Sequence, residues 1–226
     1  MLTPELRQAL EALDTCVVSN AIELLGDRLR NEGFTSPSIH RITAHDRALV
    51  GHAVTLRIHC SKPPMRGRTY EDRTDWWNYI LTVPEPRVVV IEDVDSQPGT
   101  GTFLGEVHAN ILKALGCVGG ITNGVVRDVP AIKAMGFQLF AAGMAVSHAY
   151  AHIVDFGHPV GIAGLPVSSG DLLHGDMHGV LCIPRELIHA IPETAATIRD
   201  HERRLIALCN SPEFSVEKLR QAVTSL

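Results

Sequence analysis

The sequence predicts an α/β fold: a parallel-rich central sheet, a smaller C-terminal β portion and flanking helices. Three observations carry this. Arg87–Asp93 is a continuous apolar run closed by charges, the pattern of a strand buried on both faces. Cys117–Thr122 and residues 137–141 are further β-prone runs, and helical segments over 105–115 and 130–135 alternate with them, as parallel α/β units do. After Gly143 the texture changes to short apolar runs separated by glycines, over 160–163, 165–167 and 180–183, which predicts hairpins or a small second sheet.

The remaining elements follow in chain order. Thr3-Pro4-Glu5 opens a helix with a capping hydroxyl, a proline at the first helical position and an early acid, and Leu6, Ala9, Leu10 and Leu13 form its apolar stripe. A second helix covers 17–25 and stops at Gly26. Residues 26–47 read as loop. Leu49–His59 alternates, with Val54, Leu56 and Ile58 on one face and Thr55, Arg57 and His59 on the other. A basic loop over 61–70 leads to a helix over 70–81 carrying Trp76, Trp77 and Tyr79, ended by Pro84 and Pro86. Trp76 and Trp77 read as core or subunit contacts. Residues 95–104 form a glycine-containing loop, and the chain from Pro184 is helical, interrupted near Pro192. A single domain over 1–226 accounts for this, with N-terminal helices over 3–25, a site-bearing core over 49–184 and C-terminal helices over 185–223.

Composition bounds the function. Hydrophobic residues make up 45% and charged residues 20%, ordinary for a globular protein. A net charge of −5 and a pI near 6.2 argue against bulk binding to nucleic acid or anionic membrane, while leaving room for a small anionic substrate held by one arginine. The five cysteines are widely spaced with no C-x-x-C pair; most sit in apolar runs and read as buried small hydrophobes in a reducing compartment. No apolar run nears the ~20 residues that span a bilayer, and the N-terminus lacks a signal core, so a cytoplasmic location is expected.

The stretch Gly119-Gly120-Ile121-Thr122-Asn123-Gly124-Val125-Val126-Arg127-Asp128 bears most directly on chemistry. A strand ends, Asn-Gly turns, and a cation and a carboxylate sit together before Val129-Pro130 opens a helix. Strand ends facing helix starts are where α/β proteins bind ligands. A guanidinium can fork a carboxylate, and an aspartate can hold a hard cation such as Mg²⁺ or Mn²⁺. Alone, the pair reads as a surface ion pair capping a helix; its surroundings reverse that. Gly99, Gly101 and Gly105 permit close backbone approach, and the amides from Gly105 to His108 favour an anion. Parallel order would bring Glu106 and Asp128 to one sheet edge. The glycine spacing only loosely resembles a dinucleotide fingerprint, whose ribose-binding acid is replaced here by Asn123-Gly124. Asp171, His174, Asp176 and His178 could ligate a transition metal, yet Gly-Asp and Gly-Asp-x-His-Gly read better as turns. His148 and His152 lie four apart with no glutamate between them, so a zinc-protease helix is not indicated.

Three pieces resemble the RraA-like family that includes the 4-hydroxy-4-methyl-2-oxoglutarate/4-carboxy-4-hydroxy-2-oxoadipate aldolases. They are Leu104-Gly105-Glu106-Val107-His108-Ala109, Asn123-Gly124-Val125-Val126-Arg127-Asp128, and Gly170-Asp171 through Asp176-x-His178-Gly179-Val180-x-x-Ile183-Pro184. The resemblance implies an RraA-like layered α/β sandwich. It also implies a divalent-metal lyase that cleaves 4-hydroxy-2-oxo acids to pyruvate and decarboxylates oxaloacetate. Carried over residue by residue, Asp128 would anchor Mg²⁺ or Mn²⁺, and Arg127 would contact and activate the substrate. The amides of Gly105, Glu106, Val107 and His108 would hold its carboxylate, with Glu106 orienting the water that relays the proton. Sites between subunits of a homotrimer or homohexamer are implied, with Glu193 or Glu202 of a neighbour completing each. His108 departs from the family's leucine and Asn123 from its aspartate. Relatives that restrain the endoribonuclease RNase E lack the Arg-Asp pair, and its presence here favours the enzyme; a non-catalytic regulator is the alternative expectation, beside a metal-dependent lyase or isomerase for another carboxylated substrate.

Overall fold

The computed structural model describes residues 2–26, 28–65 and 73–223. Helix α1 (Pro4–Glu11) is capped by the Thr3 hydroxyl, which accepts the Leu6 N–H at 3.2 Å. Helix α2 (Thr15–Leu25) starts two residues before its predicted position because Asp14 caps it, accepting the Val17 N–H at 2.8 Å. It ends at Gly26, whose φ of 74° is open to glycine without a Cβ penalty.

The chain then forms β1 (His40–Arg41), β2 (Leu49–His59), α3 (Thr74–Thr82), β3 (Arg87–Asp93), β4 (Thr102–Leu104), α4 (Glu106–Ala114), β5 (Cys117–Thr122) and β6 (Val125–Val126). Helix α5 (Val129–Ala134), β7 (Gln138–Ala141), β8 (Gly143–Met144), β9 (His152–Phe156), β10 (Val160–Ile162) and β11 (Leu165–Val167) follow. The hairpin β12 (Leu172–Asp176) and β13 (Gly179–Ile183) precedes α6 (Ile191–Cys209) and α7 (Val216–Val223).

The main sheet has the order β1-β7-β5-β3-β2-β12-β13. Its four central strands, β7, β5, β3 and β2, are parallel, as the alternation of strand and helix requires. Strand β12 runs antiparallel to the first half of β2 and β9 antiparallel to its second half. One face buries Val54, Leu56, Val89 and Leu139 against Trp76 and Ile80 of α3, Ala109 and Leu112 of α4 and Ile132 of α5. On the same face, Val50, Leu172 and Leu181 pack on Leu10, Val18 and Ile22 of α1 and α2 and on Ile191 and Ala195 of α6. The opposite face, with Val88, Val90, Ile121 and Phe140, lies under Val160, Ile162, Leu165 and Val167 of the β10–β11 hairpin. Each such side chain contributes about 1.5–3 kcal/mol when fully buried. The mixed α/β architecture thus agrees with the fold class read from sequence.

Several expectations are corrected. The predicted loop over 95–104 ends in β4, which joins β6 and β8 in a small parallel sheet where the central strands finish. The loop over 26–47 contains β1, paired antiparallel with β7. Residues 172–176, read as part of a turn-rich stretch, form β12, and the turn lies between Asp176 and Gly179. Residues 185–190 are turns and the helix starts at Ile191, so Pro192 opens it, where its missing N–H costs nothing. The third helix begins at Thr74; the predicted start over 70–72 and the basic residues 66–70 lie outside the described residues. Cys16 and Cys209 are exposed, unlike Cys60 and Cys117. Trp76 is core, as expected, against Tyr79 and Phe156. Among the described residues, no helix is long and apolar enough to cross a membrane.

Candidate active site

Each parallel strand delivers its connection to the same end of the sheet. β3 leads through β4 to α4, and β5 leads through β6 to α5. The Arg127 N–H bonds the Leu104 carbonyl at 3.1 Å, locking the two connections together. The first residue of α4 therefore meets the cap of α5: the Glu106 N–H donates to Asp128 Oδ2 at 3.0 Å, and Arg127 Nε lies 3.5 Å from the same oxygen. Asp128 holds a left-handed backbone, φ 55°, a conformation aspartate tolerates better than most residues. Gly105 is fixed by sterics, since a Cβ there would lie 2.7 Å from Asp128 Oδ2 and 3.1 Å from Arg127 Nε.

These residues line a cleft of about 410 Å³, within the range of small-ligand sites. Gly105, Glu106, Val107, His108, Arg127 and Asp128, all singled out from sequence, face it together. One detail differs from the expectation. The Glu106 amide is already engaged by Asp128, while among the described residues the amides of Val107 and His108 have no acceptor. A larger hollow of about 700 Å³ lies elsewhere, beside α1 and the starts of the central strands, and contains none of these residues.

Sequence reasoning missed part of the lining. Arg73, Thr102, Phe103, Tyr150 and the two histidines His148 and His152 also line the wall. Arg73 precedes α3 and bonds His108 Nε2, its guanidinium 5.0 Å over the Phe103 ring. His108 stacks on Phe103 with ring centroids 4.7 Å apart and nearly parallel planes. Burial, then the charge of Arg73, holds the His108 imidazole below its usual range, so it is neutral at pH 7. The only local signal was the departure of His108 from the family's leucine. His148 and His152 share no helix: His152 lies in β9, stacked on His59, and each imidazole Nδ1 contacts a neighbouring carbonyl.

The donor set suits a hard cation. Among the described residues nothing engages Asp128 Oδ1, and the carboxylates of Asp128 and Glu106 face the same cleft. Carboxylate oxygens are the ligands Mg²⁺ and Mn²⁺ prefer. A second group, Cys60, Asp93 and Asp95, has ligand atoms within 4.8 Å of one another, a spacing that could hold a metal. Its oxygens are already used: Asp93 accepts the N–H groups of Gly99 and Asp95, and Asp95 those of Cys60 and Ser61. Burial and the two acids push the Cys60 thiol up to about 12. That group braces the ends of β2 and β3. The other candidate ligands, over 171–178, have protein partners of their own. Asp171 accepts the Ser168 N–H, Asp176 accepts those of Thr15 and His178, and His174 is buried between Thr15 and Leu10. Glu193 and Glu202 are exposed on α6 and do not line this cleft.

Fold and cleft together define an α/β protein with a cleft at its strand ends lined by carboxylates, guanidinium groups and helix-start amides. The family model described as RraA-like, Aldolase/RraA, matches residues 15–182, and the chain belongs to this family. A provisionally named 4-hydroxy-4-methyl-2-oxoglutarate aldolase of Halalkalibacterium halodurans is 32% identical over 87 residues, covering 38% of this chain and 41% of its own. An uncharacterised Pseudomonas syringae protein superposes with a TM-score of 0.75 at 25% identity, over 99% of this chain and 95% of its own. Streptomyces coelicolor RraAS2, described as an unusual member of the RNase ES inhibitor RraA family, gives 0.69 at 21% identity over 89% and 95%, a likeness of fold alone.

Proposed function

We propose that this protein is a divalent-metal-dependent lyase that cleaves 4-hydroxy-2-oxo acids to pyruvate by a retro-aldol reaction and decarboxylates oxaloacetate. The observation that carries the reading is the convergence of Arg127, Asp128 and Glu106 on the start of α4, where two amides lack acceptors among the described residues. A regulator acting through a protein surface needs no such convergence.

In this reading Asp128 would hold Mg²⁺ or Mn²⁺. A bound cation supplies Lewis acidity toward the substrate's 2-oxo group. The amides of Val107 and His108 hold the adjoining carboxylate, assisted by the helix start. Arg127 binds substrate oxygens and stabilises charge that grows as the carbon–carbon bond breaks. Glu106 orients the water that takes the 4-hydroxyl proton. The bonding pair stays with the three-carbon fragment, which regains a proton to become pyruvate. The chain acts as a single RraA-like domain in a homotrimer or homohexamer, and the expected compartment is the cytoplasm.

The direct test is pyruvate release from oxaloacetate and from 4-hydroxy-4-methyl-2-oxoglutarate, with Mg²⁺ or Mn²⁺ and then with EDTA. Release that depends on the metal supports the lyase. Silence from folded, metal-loaded protein on both substrates sinks it and favours the regulator.

A further inference from the structure

We infer that Arg73 is a specificity-determining residue of this cleft: it binds a second anionic group of the substrate, and His108 positions it. The inference rests on the lyase reading and deepens it, because it assigns a residue to the second carboxylate that the substrates named there carry.

The first ground is an unmatched charge. Arg73 is half-buried and lines the cleft, yet among the described residues it has no carboxylate within ion-pair distance. Removing a guanidinium from water without an anion is costly. It packs over the Phe103 ring and bonds His108 Nε2, and its guanidinium keeps further N–H groups for a ligand. Those N–H groups form the fork that suits a carboxylate.

The second ground is the charge balance of the cleft. Among the described residues its acids are Glu106 and Asp128, and its arginines are Arg73 and Arg127. With a divalent cation matched to the two acids, two guanidinium charges remain. The acceptor that Arg73 meets on the protein is an imidazole nitrogen, which carries no negative charge. Two remaining cations match a dianion better than a monoanion.

The third ground is an orphaned hydroxyl. Thr102 is 2% exposed, among the described residues its Oγ1 has no hydrogen-bond partner, and it lines the same cleft next to Phe103. A buried hydroxyl without a partner is costly, and a ligand oxygen brought against this wall of the cleft would satisfy it.

The position of His108 explains its residue type. It sits in the first turn of α4, stacks on Phe103 and reaches Arg73. A leucine there could pack on Phe103 but could not accept from the guanidinium. His108 therefore acts through Arg73, as a positioning residue.

The test is calorimetric titration of the full chain in Mg²⁺ with 2-oxobutyrate, which has one carboxylate, and 2-oxoglutarate, which has two. The wild type should bind 2-oxoglutarate more tightly. Arg73→Ala should weaken 2-oxoglutarate by about tenfold or more and 2-oxobutyrate by less than about twofold, the scale of one lost charge-assisted bond. Arg73→Lys should recover part of the loss, and His108→Leu should weaken only 2-oxoglutarate, by roughly threefold. The Lys and Leu variants keep the test open if Arg73→Ala does not fold. Equal binding of the two acids by the wild type, or Arg73 variants that weaken both acids alike or neither, would overturn the inference while leaving the lyase reading intact. A wild type that binds neither acid would overturn both.

Discussion

At the scale of single residues, the site depends on a glycine and an arginine that do different work. Gly105 has an extended backbone, φ −132°, that any residue can adopt. Its identity is set by the 2.7 Å that a Cβ would leave to Asp128 Oδ2. Gly105→Ala should therefore displace Asp128 and Arg127 without unfolding the chain. The expectation is a fall in metal-dependent turnover of about tenfold or more, with Tm within a few degrees of wild type. Turnover that survives unchanged would show that Asp128 need not stay where it is. Arg127→Lys keeps the charge and loses the fork; kcat/KM for oxaloacetate should fall by roughly ten- to a hundredfold. Full activity in that variant would exclude two-point recognition by Arg127. Glu106, Arg127 and Asp128 were legible in the sequence because they adjoin strand ends and helix starts. Arg73 was not, because it lies some 30 residues from Phe103 and His108 and only the tertiary fold joins them.

At the scale of elements, β2, β3 and β5 were legible to the residue because each is a long apolar or alternating run, and burial on the sheet enforces that pattern. Strands β4, β6 and β8 are two or three residues each, too short to show a period. Strand β12 was hidden by composition, since Leu-Leu-His-Gly-Asp holds turn-forming residues at buried positions. His174 is what makes that composition work. Its Nε2 donates to the Leu10 carbonyl and its Nδ1 accepts from the Thr15 hydroxyl, both at 3.0 Å, tying β12 to α1 and α2. This pairing requires the neutral ring, and burial lowers its pKa from 6.5. Below about pH 6.5 the unfolded chain takes up a proton that the folded chain refuses. Stability from this residue is thus complete above that pH and is lost as pH falls toward the lower folded value, by at most ~1.4 kcal/mol per unit. Chemical denaturation at pH 7 and pH 5 should show that loss in the wild type. His174→Gln, less stable at pH 7, should lose less between the two. Equal losses would mean that other groups set the acid limit.

At the scale of the whole molecule, one chain leaves its site open. Asp128 is 40% exposed in its side chain, and large apolar groups surround the cleft uncovered, among them Val107 at 73% and Tyr150 at 55%. Hard cations take about six oxygen ligands, and Asp128 offers one free oxygen beside Glu106. A ring of identical chains would supply the rest, because a head-to-tail interface places a different surface of the neighbour against each site. The acids proposed to arrive that way are Glu193 and Glu202, both exposed on α6. Complementation tests this. Asp128→Asn should be inactive alone, and so should Glu193→Gln or Glu202→Gln, whichever removes the arriving acid. When the two variants are unfolded together and reassembled in equal amounts, a site is intact where an Asp128-bearing chain meets a Glu-bearing neighbour. Random assembly makes that roughly one site in four, so about a quarter of wild-type turnover should return. Which glutamate variant complements identifies the acid. If neither glutamate variant loses activity, and if mixtures with Asp128→Asn show only the turnover of their active component, each chain carries a complete site and the shared-site assembly is wrong.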